Sequence, residues 1–551
     1  MNASELLMEL LLEQGVDLVF GYPGGAVLHI YDALYRYSDC IRHVITAHEQ
    51  GAAHAADGYA RVTGKTGVVM ATSGPGATNL VTGIAAAYVD SVPLVAITGN
   101  VGTGLIGRDS FQEVYIAGIT LPITKHNFTL RSAEDLAPTI RAAFRIAQEG
   151  RKGPVLVDIP RDVGAVGAAF MPPAAKNLSA VKNLGGAKNS GGKNATPTDT
   201  LHQASQALNH AARPLIFFGG GVQAADAGET LRALCAKGDI PAAHTLMAAG
   251  VLRWDEPHNL GLAGMHGSVS ANKAIAEADV LLIAGSRLSD RIAPGFERFA
   301  PNALKIHIDI DPAELGKNVP ADIALQGDAG TILGQLLPLL EEKTRPEWRA
   351  RIDFWRSQDD APADDDMRIK PHQIMQAIGE LSGEDTIYVT DVGQHQLWAA
   401  QYARHVRPRH FLTSGGLGAM GYGYGAAIGA AFAAQGRPVV HITGDGSLHM
   451  NLNEACTAVS YNLPVITIIF NNSALGMVRQ WQDNSFGKRH SATEPERTTD
   501  YVKLAEGFGL QGFRCESLSQ FNAAFAHALA LNAPAWIECL IDREERVRHG
   551  F

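Results

Sequence analysis

The chain has 551 residues, 46% of them hydrophobic and 19% charged, with a net charge of −10. That length holds about three or four packed domains, and the excess of acid leaves no basic stripe to neutralise a nucleic-acid backbone. No apolar run is long enough to cross a membrane, and Cys40, Cys235, Cys456, Cys515 and Cys539 lack metal-ligand spacing, so they read as core thiols in a reducing, cytoplasmic setting.

The first stretch, "MNASELLMELLLEQGVDLVFG", carries apolar residues at helical spacing and acids at Glu5, Glu9 and Glu13. Without a basic start or a cleavage site it predicts a helix running into a strand, not a signal peptide. Short β-branched runs then alternate with Ala-rich helical stretches, the pattern of parallel sheets covered by helices on both faces. The first third predicts strands at "DLVFG", "HVITA", "GVVMAT", "PLVAITG" and "PVLVDIP". Residues 171–198 lose all periodicity and fill with Lys, Asn, Gly and Pro, which marks a linker. The middle third predicts strands at "PLIFFGGG", "VLLIAGS" and "KIHIDID"; residues 341–370 are charged and irregular and read as a second linker. The last third repeats the pattern at "TIYVTDVG", "PVVHITGDG", "PVITIIFNN" and "AWIECLID". The fold class is α/β, with three doubly wound parallel-sheet domains at 1–170, 199–340 and 371–551.

In open parallel sheets, ligands bind where loops leave the carboxyl ends of strands. The unusual Gly-rich or polar clusters sit there: "SGPGATN" (73–79), "GGGV" (219–222), "GSRLSDR" (285–291), "TGDGS" (443–447) and "NN" (471–472). One such loop is ordinary turn chemistry; five, spread over three domains, point to binding sites. Asp445 and Asn472 end neighbouring apolar strands with the helical stretch "LNEACTAVSYN" between them. Their oxygens suit a hard divalent cation that also bridges to phosphate, and the glycines of "GDG" let backbone approach that phosphate closely. "HEQGAAHAADGYAR" (48–61) places a single glutamate, Glu49, at a strand end among alanines and glycines. It reads either as a helix N-terminal acid or as a buried carboxylate that handles a proton.

The "GDG…NN" pair resembles the diphosphate-binding motif of thiamine diphosphate enzymes, and "HEQGAAHAADGYAR" resembles their cofactor-activating segment. The resemblance runs over nearly the whole chain and is greatest to the acetohydroxyacid synthase (acetolactate synthase) large subunits. The stretches that carry it include "FGYPGGAVLHIYDAL", "SFQE", "GPVLVDIP", "GMHGS", "HIDIDPAELGKN", "DVGQHQLWAAQ", "TSGGLGAMGYG" and "NNSALGMVRQWQD". It implies that Glu49 hydrogen-bonds the cofactor's aminopyrimidine and passes a proton, for which a desolvated carboxylate serves best; the surrounding Ala and Gly would admit the ring.

The same resemblance implies that Tyr22, Pro23, Gly25, Pro75 and Asn79 line the aminopyrimidine. Val392, Gln394, His395, Gly418, Met420, Gly446 and Ser447 would hold the diphosphate and thiazolium. Asp445, Asn472 and the backbone oxygen of Ala474 would ligate Mg²⁺. An FAD site is implied at Arg151, Gly219, Gly220, Gly221, Thr245, His266, Gly285, Arg287, Asp309 and Asp328, the flavin being structural because carboligation involves no net redox change. Arg291 would bind the carboxylate of the second 2-oxoacid, and Phe111, Gln112 and Trp481 would shape its pocket. Read alone, Arg291 is equally a surface cation and Trp481 a packed aromatic.

The implied activity is acetolactate synthesis from pyruvate, with pyruvate or 2-oxobutyrate as acceptor, for branched-chain amino acid synthesis. The implied assembly is a homodimer or homotetramer with its sites between chains, together with a small regulatory subunit as a possible partner. A catabolic acetolactate synthase, an FAD-dependent pyruvate oxidase and a catalytically silent nucleotide-binding protein are the alternatives. The chain departs from the family pattern at Ser289, Arg161 and Tyr424-Gly425, and "EERVRHGF" lacks the Pro-rich segment found in many relatives.

Overall fold

The computed structural model describes residues 1–165, 197–293, 295–359 and 368–548. Eighteen strands form three six-stranded sheets in which every pairing between strands is parallel. The first sheet holds β1 (Leu18–Tyr22), β2 (Arg42–Ile45), β3 (Gly67–Ala71), β4 (Leu94–Asn100), β5 (His126–Thr129) and β6 (Pro154–Pro160). The second holds β7 (Pro214–Phe218), β8 (Ala242–His244), β9 (Asn259–Leu262), β10 (Val280–Ala284), β11 (Leu304–Asp309) and β12 (Ile323–Gln326). The third holds β13 (Ile387–Thr390), β14 (Phe411–Leu412), β15 (Val439–Gly444), β16 (Val465–Asn471), β17 (Gln511–Cys515) and β18 (Ala535–Leu540). The three-domain α/β organisation read from the sequence is the one observed.

Sheet order is informative about function. The first and third sheets run β2-β1-β3-β4-β6-β5 and β14-β13-β15-β16-β18-β17, which is one topology used twice. The middle sheet runs β12-β11-β10-β7-β8-β9, the dinucleotide-type order. In each sheet the chain reverses direction of growth at one place, opening a crevice at the carboxyl ends of two adjacent strands. Those places are β1/β3, β7/β10 and β13/β15. Four of the five Gly-rich or polar clusters leave one of these strands, and the fifth leaves β16, the neighbour of β15.

The first and third domains share one apolar core. The helix Glu49–Thr63 packs across the helix Tyr422–Ala433, and buried Ala52, Ala55, Ala56, Ala426, Ala427 and Ala430 lie in the same cluster. A side chain at Gly58 would overlap the backbone of Ala426, and one at Gly429 the backbone of Ala55. The alanines and glycines of "HEQGAAHAADGYAR" therefore let two helices touch backbone to backbone. A buried charge cluster secures the seam. Arg61 donates to Asp57 (2.6 Å) and Asp90 (2.9 Å), and Tyr422 Oη donates to Asp57 Oδ1 (2.6 Å). Asp90 also accepts from the backbone N–H groups of Gly415 (3.1 Å) and Gly416 (2.8 Å), tying down the loop that carries Gly418 and Met420.

Two sequence expectations differ from the structure here. Within 341–370, expected to be irregular, the helix Pro346–Arg356 buries Trp348, Ile352 and Trp355 in the core of the middle domain. Its high charge hid an apolar stripe at positions 348, 352 and 355, which is helical spacing. Cys40 and Cys456 are exposed, so only Cys235, Cys515 and Cys539 are core thiols; all five are unpaired. The 171–198 segment lies mostly outside the described residues, as do 360–367. Among the described residues no helix is long and apolar enough to cross a membrane.

Candidate active site

Two clusters form at the reversal points of the first and third sheets. In the first, Glu49 is the opening residue of its helix, following the N-cap His48, whose ring accepts from the Gln50 N–H. Both readings of Glu49 thus describe one position: a helix N-terminal acid at the carboxyl end of the β2 arm. Asn79 Nδ2 donates to Glu49 Oε2 at 2.9 Å, and a side chain at Gly76 would come within 3.2 Å of Glu49 Oε1. One carboxylate oxygen is therefore fixed, and the other faces a space that glycine keeps open. Glu49 is half-buried, not the fully buried carboxylate the sequence suggested. The crevice is open on this side in the single chain, where Tyr22 and Gly25 are also exposed.

Pro75 and Asn79 lie on the short helix that follows β3, and Gly74 ahead of it has φ +59°. A side chain at Gly74 would meet the Gln112 carbonyl at 2.8 Å, and Gln112 itself has φ +59°. A non-glycine residue in that region is strained unless its surroundings impose it, and such positions concentrate at ligand sites. Phe111 beside it is 88% exposed, an aromatic ring that nothing among the described residues covers.

In the second cluster, Val392, Gln394 and His395 follow β13, Asp445, Gly446 and Ser447 follow β15, and Asn472 and Ala474 follow β16. They converge. Ser447 Oγ donates to the Val392 carbonyl (2.9 Å), and Asn472 Nδ2 donates to Gln394 Oε1 (3.2 Å). Glycine is required at 476 because a side chain there would meet Asn472 Nδ2 at 2.6 Å and overlap the Gln394 amide. Gly418, at φ +71°, and Met420 come from the neighbouring loop, with Met420 Cε 3.8 Å from where a Gly446 side chain would begin.

Burial shapes the electrostatics of this cluster. It pushes the Asp445 carboxyl up to about 7, against the pull of nearby Arg497. It pushes His395 down to about 4, and His395 Nε2 is buried without a hydrogen-bond partner. A carboxylate that lacks a cation and an imidazole that lacks a partner both fit a site shaped for further groups. Among the described residues no three His, Cys, Asp or Glu side chains gather as a metal cage. A cation here would therefore rely on Asp445, on amide and backbone oxygens, and on phosphate. Asn472 Oδ1 already accepts from the Ala474 N–H (3.1 Å).

The middle sheet's crevice collects Gly219, Gly220 and Gly221 after β7, Thr245 after β8, Gly285 and Arg287 after β10, Asp309 at the end of β11 and Asp328 after β12. Gly219 and Gly221 donate their N–H groups to the carbonyls of Ala284 (2.9 Å) and Gly285 (3.0 Å), so these glycines press two loops together. Burial lowers the Arg287 guanidinium and raises the Asp309 carboxyl. Arg287 makes no ion pair among the described residues, and a half-buried cation in that state calls for an anion. Asp328 caps the helix Ala329–Leu336 through Thr331. Arg151 reaches across from the first domain to Glu314 (2.9 Å) and Asp311 (3.3 Å). His266 Nδ1 lies 3.3 Å from the Arg548 carbonyl, at the contact between middle and third domains.

Among the described residues, no hydrogen bond or ion pair joins Arg291, Phe111 and Gln112 to one another. Arg291 is exposed, loosely paired with Asp290 at 3.9 Å and donating from Nη1 to Met265 Sδ at 3.5 Å. Trp481 is half-buried on the helix Gly476–Ser485. Sequence reasoning missed Gln480, which donates to the Val547 carbonyl and accepts from its N–H (2.8 and 3.0 Å) while accepting from Gln394 (2.9 Å). Residues 545–548 are thereby held against the second cluster even without a Pro-rich segment. It missed Glu454 as well, whose backbone donors, Ala47 and His48, lie in the first domain. Among the described residues, no hydrogen bond or ion pair joins the Glu49 cluster directly to the Asp445 cluster.

Comparison with known proteins matches three family models: the thiamine pyrophosphate enzyme N-terminal TPP binding domain over residues 1–119, the central domain over 201–336 and the C-terminal TPP binding domain over 391–539. A probable acetolactate synthase large subunit of Methanocaldococcus jannaschii is 44% identical over 99% of this chain and 93% of its own length. An acetolactate synthase of Mycobacterium bovis is 42% identical over 99% and 89%, and the acetolactate synthase large subunit of Pyropia yezoensis 41% over 98% and 92%.

Proposed function

The chain belongs to the acetolactate synthase large subunits of the thiamine pyrophosphate enzymes, and on that premise we propose how its own residues serve the reaction. The enzyme decarboxylates pyruvate and ligates the remaining two-carbon unit to a second 2-oxoacid, the first common step of branched-chain amino acid synthesis. The observation that supports the reading best is topological: the two sheets with one strand order each present a polar cluster at their reversal point.

Thiamine diphosphate, when bound, supplies the electron sink that makes loss of CO₂ from a 2-oxoacid feasible. Tyr22, Pro23, Gly25, Pro75 and Asn79 would hold its pyrimidine end; Val392, Gln394, His395, Gly418, Met420, Gly446 and Ser447 its other end. Glu49 holds or moves the proton. Asn79 fixes Oε2, so Oε1 is the atom free to exchange it. Mg²⁺ would sit on Asp445, Asn472 and the Ala474 carbonyl, relieving the penalty of an ionised Asp445 in a buried place. FAD would occupy the middle crevice with Arg287 as a counter-charge, in a structural role. Arg291 offers its exposed cation to the acceptor's carboxylate, and Gln112, Phe111 and Trp481 limit the acceptor's size.

The exposure of Phe111 and Tyr115 supports a site completed by a second copy. A homodimer is then the minimum assembly, a homotetramer is compatible, and the "large subunit" names of relatives favour a small partner subunit. The unpaired cysteines suit the cytoplasm. The test is a product assay: pyruvate with thiamine diphosphate, Mg²⁺ and FAD, quantifying acetolactate and acetate. Acetolactate as the main product supports the reading; acetate with flavin reduction overturns it in favour of an oxidase.

A further inference from the structure

The turn that delivers Glu49 is held by the far end of the chain. Between β2 and the Glu49 helix, the N–H of Ile45 donates to Tyr461 Oη (2.9 Å), that of Ala47 to Glu454 Oε2 (3.2 Å) and that of His48 to Glu454 Oε1 (3.1 Å). Glu454 is fully buried, and Thr457 Oγ1 donates to its Oε2 at 2.7 Å. Gly51, in the first turn of the same helix, makes this reach possible, because any side chain there would overlap the Glu454 carboxylate. Two adjacent N–H groups, each aimed at a different oxygen, need an acceptor with no hydrogen on either atom. Only an ionised carboxylate meets that need, since a Gln amide nitrogen would face one N–H with another. Burial pushes the Glu454 carboxyl up to about 6 against those three donors, so it is ionised at neutral pH.

We propose that Glu454 is a positioning residue for Glu49. From the third domain it fixes the backbone immediately ahead of Glu49, with Tyr461 as a second clamp and Gly51 as the opening through which it acts. The proposal rests on the proton-handling role given to Glu49 above. Its consequence is that the placement of the proton-handling carboxylate depends on the contact between the first and third domains of the same chain.

The test uses the full-length enzyme with Glu454→Gln, Tyr461→Phe and Gly51→Ala. A displacement of about 1 Å at a reacting group costs on the order of a hundredfold in rate. Glu454→Gln should therefore lower kcat roughly ten- to a hundredfold while leaving the KM for pyruvate and the affinity for thiamine diphosphate nearly unchanged. Gly51→Ala, which displaces the carboxylate without removing its charge, should reproduce that loss, and Tyr461→Phe should give a smaller one. Hydrogen–deuterium exchange of the apo-protein gives a readout independent of catalysis: amides 45–53 should exchange faster in Glu454→Gln, with 422–433 unaffected.

Wild-type exchange at 45–53 overturns the proposal. So does a kcat loss that saturating cofactor restores, which would mark Glu454 as merely structural. If Glu454→Gln does not fold, Tyr461→Phe decides: unchanged exchange at 45–53 together with unchanged kcat refutes the clamp. An unmutated enzyme that makes no acetolactate would refute the functional reading, while the apo-protein exchange would still judge Glu454.

Discussion

Replacing Glu49 by Gln separates its chemical role from its shape. Gln keeps the length of the side chain, and its carbonyl oxygen can still accept from Asn79 Nδ2, which lies 2.9 Å from Glu49 Oε2. The N-cap at His48 and the backbone of the helix are untouched, so fold and cofactor affinity should survive. What is lost is the atom that holds a proton. General acid–base steps contribute about 10²–10⁴-fold, or roughly 3–5 kcal/mol of barrier. Asn79→Ala tests the other half of the pair. It removes one charge-assisted hydrogen bond from a half-exposed carboxylate, for which about 1–1.5 kcal/mol, a five- to tenfold loss, is the appropriate scale. The assay is kcat for acetolactate at saturating thiamine diphosphate and Mg²⁺, alongside cofactor affinity by titration and exchange of the cofactor's acidic C–H for deuterium. Glu49→Gln should lose exchange and kcat in step, by at least ten times more than Asn79→Ala. A Glu49→Gln enzyme with near wild-type turnover, or one that fails only because it binds no cofactor, refutes the reasoning.

Arg61→Met strands the carboxylates of Asp57 and Asp90 in the seam between domains and should cost about 3–5 kcal/mol of stability, read as a lower midpoint in denaturant; an unchanged midpoint would show the cluster to be dispensable. Burial holds His54, His244 and His405 down to about 4, against 6.5 in an unfolded chain. Between those values the unfolded state binds protons the folded state refuses, so stability falls as pH drops from 6.5 towards 4, by up to about 3 kcal/mol for each histidine. His405→Phe should flatten the fall in Tm from pH 7 to pH 5, and parallel curves for variant and wild type would contradict the assignment. Arg287→Met should weaken FAD binding roughly tenfold or more, the cost of a lost charge-assisted contact, while FAD kept chemically reduced throughout the assay should still support acetolactate formation in the unmutated enzyme; wild-type FAD affinity in the variant would move the flavin elsewhere.

The strands that can be read from sequence are mostly the central ones. β3, β4, β7, β10, β15 and β16 are covered on both faces and are mostly apolar, which composition alone marks. The edge strands β5, β9, β12, β14 and β17 escape because they are two to five residues long, and all but β14 include exposed or half-buried positions. At the site, glycine and polar clusters at strand ends were visible because the topology forces ligands there. Glu454 was not, since its partners Ala47 and His48 are 407 and 406 residues away and nothing local distinguishes it. The Ala- and Gly-rich segment was visible, but small residues signal close approach without saying of what, and the helix Tyr422–Ala433 that packs there was not legible. Glu49's half-exposed state was equally out of reach, because solvent access at a crevice depends on what covers it.

The claim on which the account stands is that one reaction site is assembled from the Glu49 cluster of one chain and the Asp445 cluster of another. Hybrid enzymes test it directly. Glu49→Gln and Asp445→Asn chains, each inactive as purified, are mixed, dissociated and reassociated, and acetolactate formation is measured. If sites form between chains, a hybrid dimer carries one doubly altered site and one intact site, and random pairing should restore about a quarter of wild-type activity. If each chain builds its own site, every site in the mixture keeps one lesion, and a mixture that stays as inactive as its components contradicts the account.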